Sequence, residues 1–449
     1  MRYSNDGGRT WTNRPPLELP PGSGSGANQS DPVIAADGNG YFYYNSLIFR
    51  SLRDGVCTYR STTAGVDWEP PVYLTESGVD KNWYIVDNTG ISTHHYGIWQ
   101  FPGHFTRSTD EGQSYMPTMD IGASIFAHMN VGPGGELYAG WWRGDHVTVR
   151  RSDNAWDPSV QPVFESGRSV EFGWMPWQPP VNPAGGCSQL WIETNHMPGP
   201  EYGDVYVLSS AQRPDDVCDV MFSTSTDQGE SFSTPIRVND DPPGLDYNWM
   251  AAMDQSPGGR LDAFWYDTRD DPNHLLSRLY YSYSYDHGRT WAPNRALSDQ
   301  FDTRIGWPQQ RKIGDYFQCQ SENGSAAVVY AATFNGEQDV YYLRTHPIEL
   351  RASDLIGGQP ATIEITGAKP NEPVWLAASL AGEGFTNVPK LSVRIGILKP
   401  QQVDDRLVTD ANGRAEWNVF VPRSASGRTV WLQAVQFENA SNVAASAIQ

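Results

Sequence analysis

Short apolar segments alternate with polar, glycine-rich turns along most of the chain, and long stretches with the period of a helix are missing. One unit recurs six times: the end of a strand, a polar turn, and a second, strongly apolar strand. The predicted second strands are 41–49, 95–101, 136–142, 204–210, 260–267 and 326–334. Six copies of the unit predict an all-β chain built from six repeated sheets.

A second repeat has the form Ser-x-Asp-x-Gly-x-Thr-Trp. It occurs at 4–11 and 284–291, with close variants at 108–115 and 225–232 and degenerate copies that end at Trp68 and Trp156. The pattern is typical of a hairpin turn, in which Asp accepts backbone N–H groups, Gly adopts positive φ and the aromatic ring packs beneath. The motif resembles the Asp-box (BNR repeat) of sialidases and related six-bladed β-propellers. The resemblance implies that each box joins the third and fourth strands of a blade and is structural.

The two ends of this region complement each other. The sixth unit supplies three strands that end near 339–344, whereas the chain begins with a box that has only a fourth strand after it. We expect this N-terminal strand to complete the last blade and close the ring, which removes exposed sheet edges. Residues 1–347 are therefore predicted to form a six-bladed β-propeller.

The pattern changes after about Pro347, where the box motifs stop. Alternating strands are predicted at 361–366, 374–380, 391–397, 415–421 and 429–437, with Trp375, Trp417 and Trp431 anchoring a small core. About 100 residues with this pattern resemble an immunoglobulin-like β-sandwich. The prediction is thus a propeller at 1–347 followed by a sandwich at 348–449.

Composition excludes some partners and leaves others open. The net charge of −20 disfavours nucleic acid, and no apolar run reaches the roughly 18 residues that a membrane span needs. The first residues lack the apolar core of a signal peptide, and we expect a secreted or cell-surface protein whose signal lies outside this chain. Four cysteines, Cys57, Cys187, Cys218 and Cys319, allow three disulfide pairings, between which their spacing does not choose.

No spacing typical of a metal site is present, so no metal or cofactor is predicted. Paired carboxylates at 215–216 and 240–241 are candidates for structural calcium, although exposed acidic loops usually hold only water.

Candidate chemistry lies where the first strand of each blade begins. Aligning the six turns on Asp37, Asp87, Asn130, Asn195, Asp254 and Ser321 places a polar residue six positions earlier in every blade. These residues are Asp31, Lys81, Ser124, Gln189, Asn248 and Asp315. Because first strands are otherwise apolar, we expect Asp31, Lys81, Asn248 and Asp315 to converge at the propeller axis, where ligands bind. Solvated strand ends are the alternative explanation.

The resemblance to sialidases implies further roles. Sialidases use a tyrosine nucleophile, a glutamate that activates it and an aspartate acid/base. Tyr316 is the candidate nucleophile, Glu193 its candidate partner, and Asp31 or Asp80 the candidate acid. The family's Phe/Tyr-Arg-Ile-Pro motif is absent, and Ser30-Asp31-Pro32 begins the first strand instead.

Sialidases also hold the substrate carboxylate with three arginines, and arginine's planar fork suits that role. Arg143, Arg213 and Arg269 are the candidate analogues, with Arg311 as a substitute. Each arginine could instead pair with a neighbouring Asp as a loop clamp.

An insertion between Ser166 and Gly186 contains Trp174 and Trp177 on a proline-stiffened loop. The loop is expected to rise over the pocket, where the two rings would stack against sugars. Filling a gap between blades is the alternative role for these rings.

Three functions follow from these features. The first is a secreted glycoside hydrolase of the sialidase-like type, acting on a glycan or polysaccharide. The others are a non-catalytic glycan-binding or adhesion propeller and a polysaccharide lyase. Convergence of two carboxyl groups, or of a tyrosine–glutamate pair and a carboxyl group, would favour an enzyme.

Overall fold

The chain folds entirely from β-structure. A computed structural model describes residues 2–24, 26–50, 54–76, 80–100, 103–307 and 310–449. These residues form many short antiparallel strands and two 3-10 turns, Pro389–Leu391 and Arg423–Ala425, and they contain no α-helix. Neither turn is long or apolar enough to cross a membrane. The all-β prediction is confirmed.

In the described part of residues 28–345, six antiparallel sheets follow one another, and consecutive strands are neighbours except for Phe301–Asp302, which pairs with Leu276–Ser284. Sheet 1 is Asn28–Ala36, Phe42–Phe49, Gly55–Ser61 and Val72–Thr75; sheet 2 is Asp80–Val86, His95–Gln100, His104–Ser108 and Met119–Asp120; sheet 3 is Ile125–Val131, Leu137–Trp142, Val147–Ser152 and Arg168–Val170. Sheet 4 is Trp191–Thr194, Val205–Arg213, Asp216–Ser225 and Ile236–Arg237; sheet 5 is Asn248–Gln255, Leu261–Asp267, Leu276–Ser284, Arg295–Ala296 and Phe301–Asp302; sheet 6 is Gln318–Glu322, Ser325–Ala332 and Asp339–Thr345. The predicted second strands match these bounds within a few residues, and Phe101 lies outside the described residues.

The first strands of successive sheets pack against one another. Residues from the first strands of all six sheets line one central cavity of about 1750 Å³. Aromatic side chains fill the contacts between sheets: the Tyr43 ring lies 4.3 Å from the His95 ring, and the Tyr266 ring lies 5.0 Å from the Phe317 ring. Sheets arranged around a shared cavity in this way are propeller-like.

The four repeated turns, which we call the box turns, have one geometry. In each, the aspartate carboxylate accepts the backbone N–H of the residue four positions later at 2.8–2.9 Å. The following glycines are left-handed, and a side chain at Gly288 would lie 2.2 Å from Phe222. The Trp291 ring packs edge-on against Phe222 of sheet 4 at 5.4 Å. Trp11 is 44% exposed, so it covers its turn only in part.

The N-terminal strand does not join sheet 6 as predicted. Arg2–Tyr3 pairs with Thr12–Asn13 in a separate hairpin, and in the described residues this hairpin has no ladder to Asp339–Thr345. Side chains still hold the hairpin beside sheet 6, because the Trp11 ring packs edge-on against Tyr342 at 5.5 Å. The box turn directly after Tyr3 folds the strand back onto its own continuation, and this local pairing replaces the long-range pairing.

The C-terminal residues form a separate group of sheets. Their strands are Glu349–Ala352, Pro360–Thr366, Pro373–Ser379, Glu383–Val388, Val393–Ile397, Gln401–Val408, Ala415–Phe420, Thr429–Gln436, Asn439–Ala440 and Ala444–Ala447. Their apolar clusters are distinct from those of residues 28–345. Trp417 is buried in this core, whereas Trp375 and Trp431 are only half-buried.

Candidate functional site

The central cavity is the best-formed candidate site, and Asp31, Lys81, Asp315 and Tyr316 all line it. Asp31 and Lys81 lie at the start of the first strands of sheets 1 and 2. Both have left-handed backbones, with φ of 50° and 47°, and the pairing register shifts at each of them. A β-bulge of this kind re-aims a side chain that an ordinary strand would place elsewhere.

Lys81 is a buried cation without a hydrogen-bond acceptor. It is 3% exposed, and its Nζ lies 3.1 Å from the centroid of the Tyr316 ring and 5.1 Å from that of Trp83. Among the described residues, no atom accepts a hydrogen bond from Nζ. Burial lowers the pKa of Lys81 to about 7, against the opposing effect of the Asp31 carboxylate. A ligand oxygen in the cavity could complete this donor set.

Two carboxyl groups beside Lys81 have contrasting environments. Burial raises the pKa of Asp31, although the Lys81 charge opposes this, and Asp31 accepts one hydrogen bond from Ser30 Oγ at 2.8 Å. Asp315 instead forms an ion pair with Lys312. Burial therefore favours the acid form of Asp31, whereas Asp315 has the Lys312 ammonium group beside it.

The structure does not form the expected tyrosine–glutamate pair. In the described part of the chain the Tyr316 hydroxyl has no hydrogen-bond partner, and burial raises its pKa well above its usual value. Glu193 accepts a hydrogen bond from Asn130 Nδ2 at 2.9 Å, and burial followed by the charge of Asp254 raises its pKa. Glu193 lines the same cavity, but within the described residues it forms no hydrogen bond with Tyr316.

The candidate arginines do not come together. Arg143 is exposed at the rim, where its Nη2 donates to the carbonyl oxygen of Gly122 at 2.7 Å. Arg213 donates from Nη1 to the carbonyl oxygen of Phe172 at 2.9 Å. Among the described residues, no arginine lines the central cavity. Both side chains satisfy loop carbonyls, which the sequence pattern could not reveal.

Arg269 matches the alternative that each arginine clamps a loop. Its guanidinium lies 2.8 Å from the Asp267 carboxylate and 3.0 Å from that of Asp241, and it also contacts Asp240. The pair at 240–241 that was considered for calcium is therefore engaged by an arginine. Arg311 is exposed, and its guanidinium lies over the Trp307 ring at 5.6 Å. In the described residues, no group of three or more candidate ligands is placed to hold a metal ion.

The six-fold alignment is correct in sheets 1 and 2 and shifted in sheets 3 and 5. There the left-handed residue at the bulge is Phe126 or Met250, two positions after the predicted Ser124 and Asn248. Asn248 is fully buried and donates from Nδ2 to Asp241 at 3.1 Å, and it is not among the residues that line the cavity. A bulge adds one residue to a strand, and this shifts which residue occupies the equivalent position. The pattern of polar residues in the sequence does not show where such a residue is added.

The insertion does rise over the cavity. Trp177 lines the cavity and is 54% exposed, which leaves its ring available to a ligand. Asn182 ties the loop to the segment just before sheet 6, because its Nδ2 donates to the carbonyl oxygen of Gly314 at 2.9 Å. Trp174 is 61% exposed and forms a bridge with Gln212, so it lies on the rim, outside the cavity lining.

Sequence reasoning assigned no role to two further groups. Asp254 lines the cavity with Glu193, and burial raises its pKa to about 7. The His128 ring lies 4.7 Å from the Trp83 ring, and burial followed by the Lys81 charge lowers its pKa to about 3. Asp254 and His128 belong to first strands that are otherwise apolar. A polar residue inside an apolar strand is the sequence feature that could have identified both of them.

Comparison with known proteins gives fold likenesses only. No family model matches the sequence, and no curated protein matches it. Among solved structures, a protein of unknown function from Dyadobacter fermentans is 12% identical, with a TM-score of 0.44 over 72% of this chain and 95% of that one. The Hadza microbial sialidase Hz136 is 13% identical, with a TM-score of 0.43 over 71% and 65%. The α-L-arabinanase of Penicillium chrysogenum is 14% identical, with a TM-score of 0.39 over 76% and 89%. These values are low, and no activity or residue role is carried over to this chain.

Proposed function

We propose that this chain is a secreted glycan-acting protein whose first 347 residues form a six-bladed Asp-box propeller, with an immunoglobulin-like sandwich at 348–449. We further propose that it hydrolyses glycosidic bonds in the central cavity. The carrying observation is the contrast between Asp31 and Asp315: both line the cavity, one with its pKa raised by burial and one paired with Lys312. Two carboxyl groups in opposed environments are what glycoside hydrolysis requires.

The proposed mechanism divides the work between these groups. Asp31, whose pKa is raised by burial, donates its proton to the leaving oxygen. Asp315, which pairs with Lys312, is the second carboxyl group of the reaction, and the oxygen of a water molecule replaces the leaving oxygen on the anomeric carbon. Lys81 donates to an oxygen of the bound sugar, and Trp177 stacks on the apolar face of a ring. Tyr316 packs under Lys81 and positions it. It is not assigned as the nucleophile, because a tyrosine with a raised pKa and no basic partner is a poor one.

The cations of the cavity favour a neutral glycan over sialic acid or a uronate. Among the described residues, the cavity lining includes six carboxyl groups, and burial raises the pKa of three of them, Asp31, Glu193 and Asp254; its lysines are Lys81 and Lys312. Lys312 is already paired, and no arginine among the described residues lines the cavity. An anionic sugar would lack the bidentate partner that carboxylate recognition ordinarily uses.

Non-catalytic glycan binding is the second candidate function. The observation that favours it is the exposure of Trp174 and Trp177 on one loop at the cavity mouth, since sugar binding needs only aromatic faces and hydrogen bonds. In this case Asp31 and Asp315 would accept hydrogen bonds from sugar hydroxyls.

The two candidates separate in a turnover assay on a panel of polysaccharides. Release of reducing ends should be seen on a neutral glycan and should fall at least about 100-fold in Asp31→Asn and Asp315→Asn, with little change in melting temperature. Asp145→Asn is the matched control, because Asp145 is an exposed carboxylate that pairs with His146 and does not line the cavity. Binding without turnover on every substrate would favour the second candidate, and neither binding nor turnover would refute both.

A further inference from the structure

The four cysteines are all free thiols and all buried. The side chains of Cys187 and Cys218 are neighbours, because the Cys187 thiol adds to the rise in the pKa of the Cys218 thiol that burial chiefly causes. Both residues also touch one short stretch of sheet 5: Met250 N–H donates to the Cys187 carbonyl oxygen at 2.6 Å, and Cys218 Sγ donates to the Asn248 carbonyl oxygen at 3.3 Å. Of the three pairings that four cysteines allow, this geometry favours the one that joins Cys187 to Cys218.

The position of the pair connects it to the cavity. Cys187 ends the loop that carries Trp177, and Cys218 lies on the third strand of sheet 4, Asp216–Ser225. The Cys187 N–H donates to the carbonyl oxygen of Pro176 at 3.2 Å, directly beside Trp177. A covalent bond at this point would fix the base of the aromatic loop against sheet 4.

We propose that Cys187 and Cys218 form a disulfide under oxidising conditions and that this bond fixes the loop bearing Trp177. The oxidant is a disulfide such as oxidised glutathione. One cysteine thiolate attacks a glutathione sulfur and releases one reduced glutathione, and the second cysteine thiolate then displaces the other. The two cysteines lose two protons and two electrons, and one oxidised glutathione becomes two reduced ones.

The burial of the pair sets when the bond forms. Both side chains are completely buried in the folded chain, and burial raises the pKa of the Cys218 thiol. Exchange needs an accessible thiolate, so oxidation takes place during folding, before the loop closes over sheet 4. Oxidised glutathione added to the folded, reduced chain should react slowly.

The test is a disulfide map of the full chain, refolded either with a glutathione redox couple or with a phosphine reductant. After denaturation, alkylation of free thiols and digestion, the oxidised sample should contain one cross-linked peptide joining Cys187 to Cys218. Cys57 and Cys319 should be alkylated in both samples. The oxidised sample should melt several degrees higher and be cut more slowly by protease within 172–187, because the bond closes a loop of roughly 30 residues.

Two variants serve as controls. Cys57→Ser should retain the cross-link and the difference in melting temperature, whereas Cys187→Ser should lose both. Four alkylated cysteines in the oxidised wild-type sample, or a cross-link that includes Cys57 or Cys319, would overturn the proposal even if a variant fails to fold. A cross-link without a change in protease resistance would overturn the claim that it fixes the loop. None of these outcomes depends on glycan turnover.

Discussion

Arg260 should be the most costly single side chain to remove at the junction of sheets 5 and 6. It is 3% exposed and makes three hydrogen bonds of 2.9–3.1 Å to Asp262, which is fully buried. It also donates to three backbone carbonyl oxygens at the first turn of sheet 6, those of Glu322, Asn323 and Ser325. One guanidinium therefore neutralises a buried carboxylate and joins two sheets.

In Arg260→Met, the buried Asp262 carboxylate would lose its cation and keep the hydrogen bond from the Tyr281 hydroxyl, which donates to it at 2.6 Å. Breaking a buried ion pair by removing one partner costs about 3–5 kcal/mol, because the remaining charge stays desolvated. For a unit of roughly 350 residues with an unfolding entropy of about 2.1 cal/mol/K per residue, 4 kcal/mol lowers the melting temperature by about 5 °C. Adding Asp262→Asn removes the stranded charge and should restore about 2 kcal/mol of this loss.

The assay is thermal and urea unfolding of the four members of the double-mutant cycle, followed by tryptophan fluorescence. Arg168→Met is the matched control, because Arg168 pairs with Glu230 on the surface and its loss should cost less than about 1 kcal/mol. A loss below 1 kcal/mol in Arg260→Met, or no recovery in the double variant, would refute this account of the junction.

Three further predictions concern stability. Trp291→Ala should lower the free energy of unfolding in urea by about 2–3 kcal/mol, because it removes a ring that is roughly half-buried. A change below about 0.5 kcal/mol would refute the packing on Phe222. Deleting residues 350–449 should leave 1–349 folded, because the two parts have separate cores. The melting temperature should fall, because Tyr283 loses its hydrogen bond to the Gly367 carbonyl oxygen. An insoluble product would contradict the separation of the two cores. Burial raises the pKa of Asp254 to about 7, so its stabilising contribution is present below pH 4 and is lost as the pH rises through 7. Asp254→Asn should therefore raise the melting temperature more at pH 8 than at pH 5, and an equal change at both values would count against a buried, protonated carboxyl group.

The sheets and box turns could be predicted because their signals are local. Each strand alternates with a turn, and each box contains the aspartate, glycine and aromatic residue that its geometry requires. The N-terminal strand was assigned wrongly because a pattern of residues does not distinguish a strand that adds to sheet 6 from one that pairs within its own hairpin. Pairing partners depend on three-dimensional proximity.

The candidate site was predicted in part, and the errors have a physical cause. Asp31, Lys81, Asp315 and Tyr316 could be grouped because they lie at or shortly before the start of first strands, and the structure brings them to one cavity. Asn248 was misplaced because a bulge in sheet 5 shifts the equivalent position to Met250. The arginines could not be placed because loop side chains satisfy the nearest carbonyl or carboxylate group, which sequence spacing does not reveal.

The most direct test of the central claim is a crystal structure of Asp31→Asn soaked with an oligosaccharide of the neutral glycan that wild-type protein binds best. The account predicts one sugar ring stacked on Trp177 and one sugar oxygen within hydrogen-bonding distance, about 3 Å, of Lys81 Nζ. It also predicts that the glycosidic oxygen lies beside residue 31. An oligosaccharide bound on residues 348–449, or an empty central cavity at saturating ligand, would contradict it.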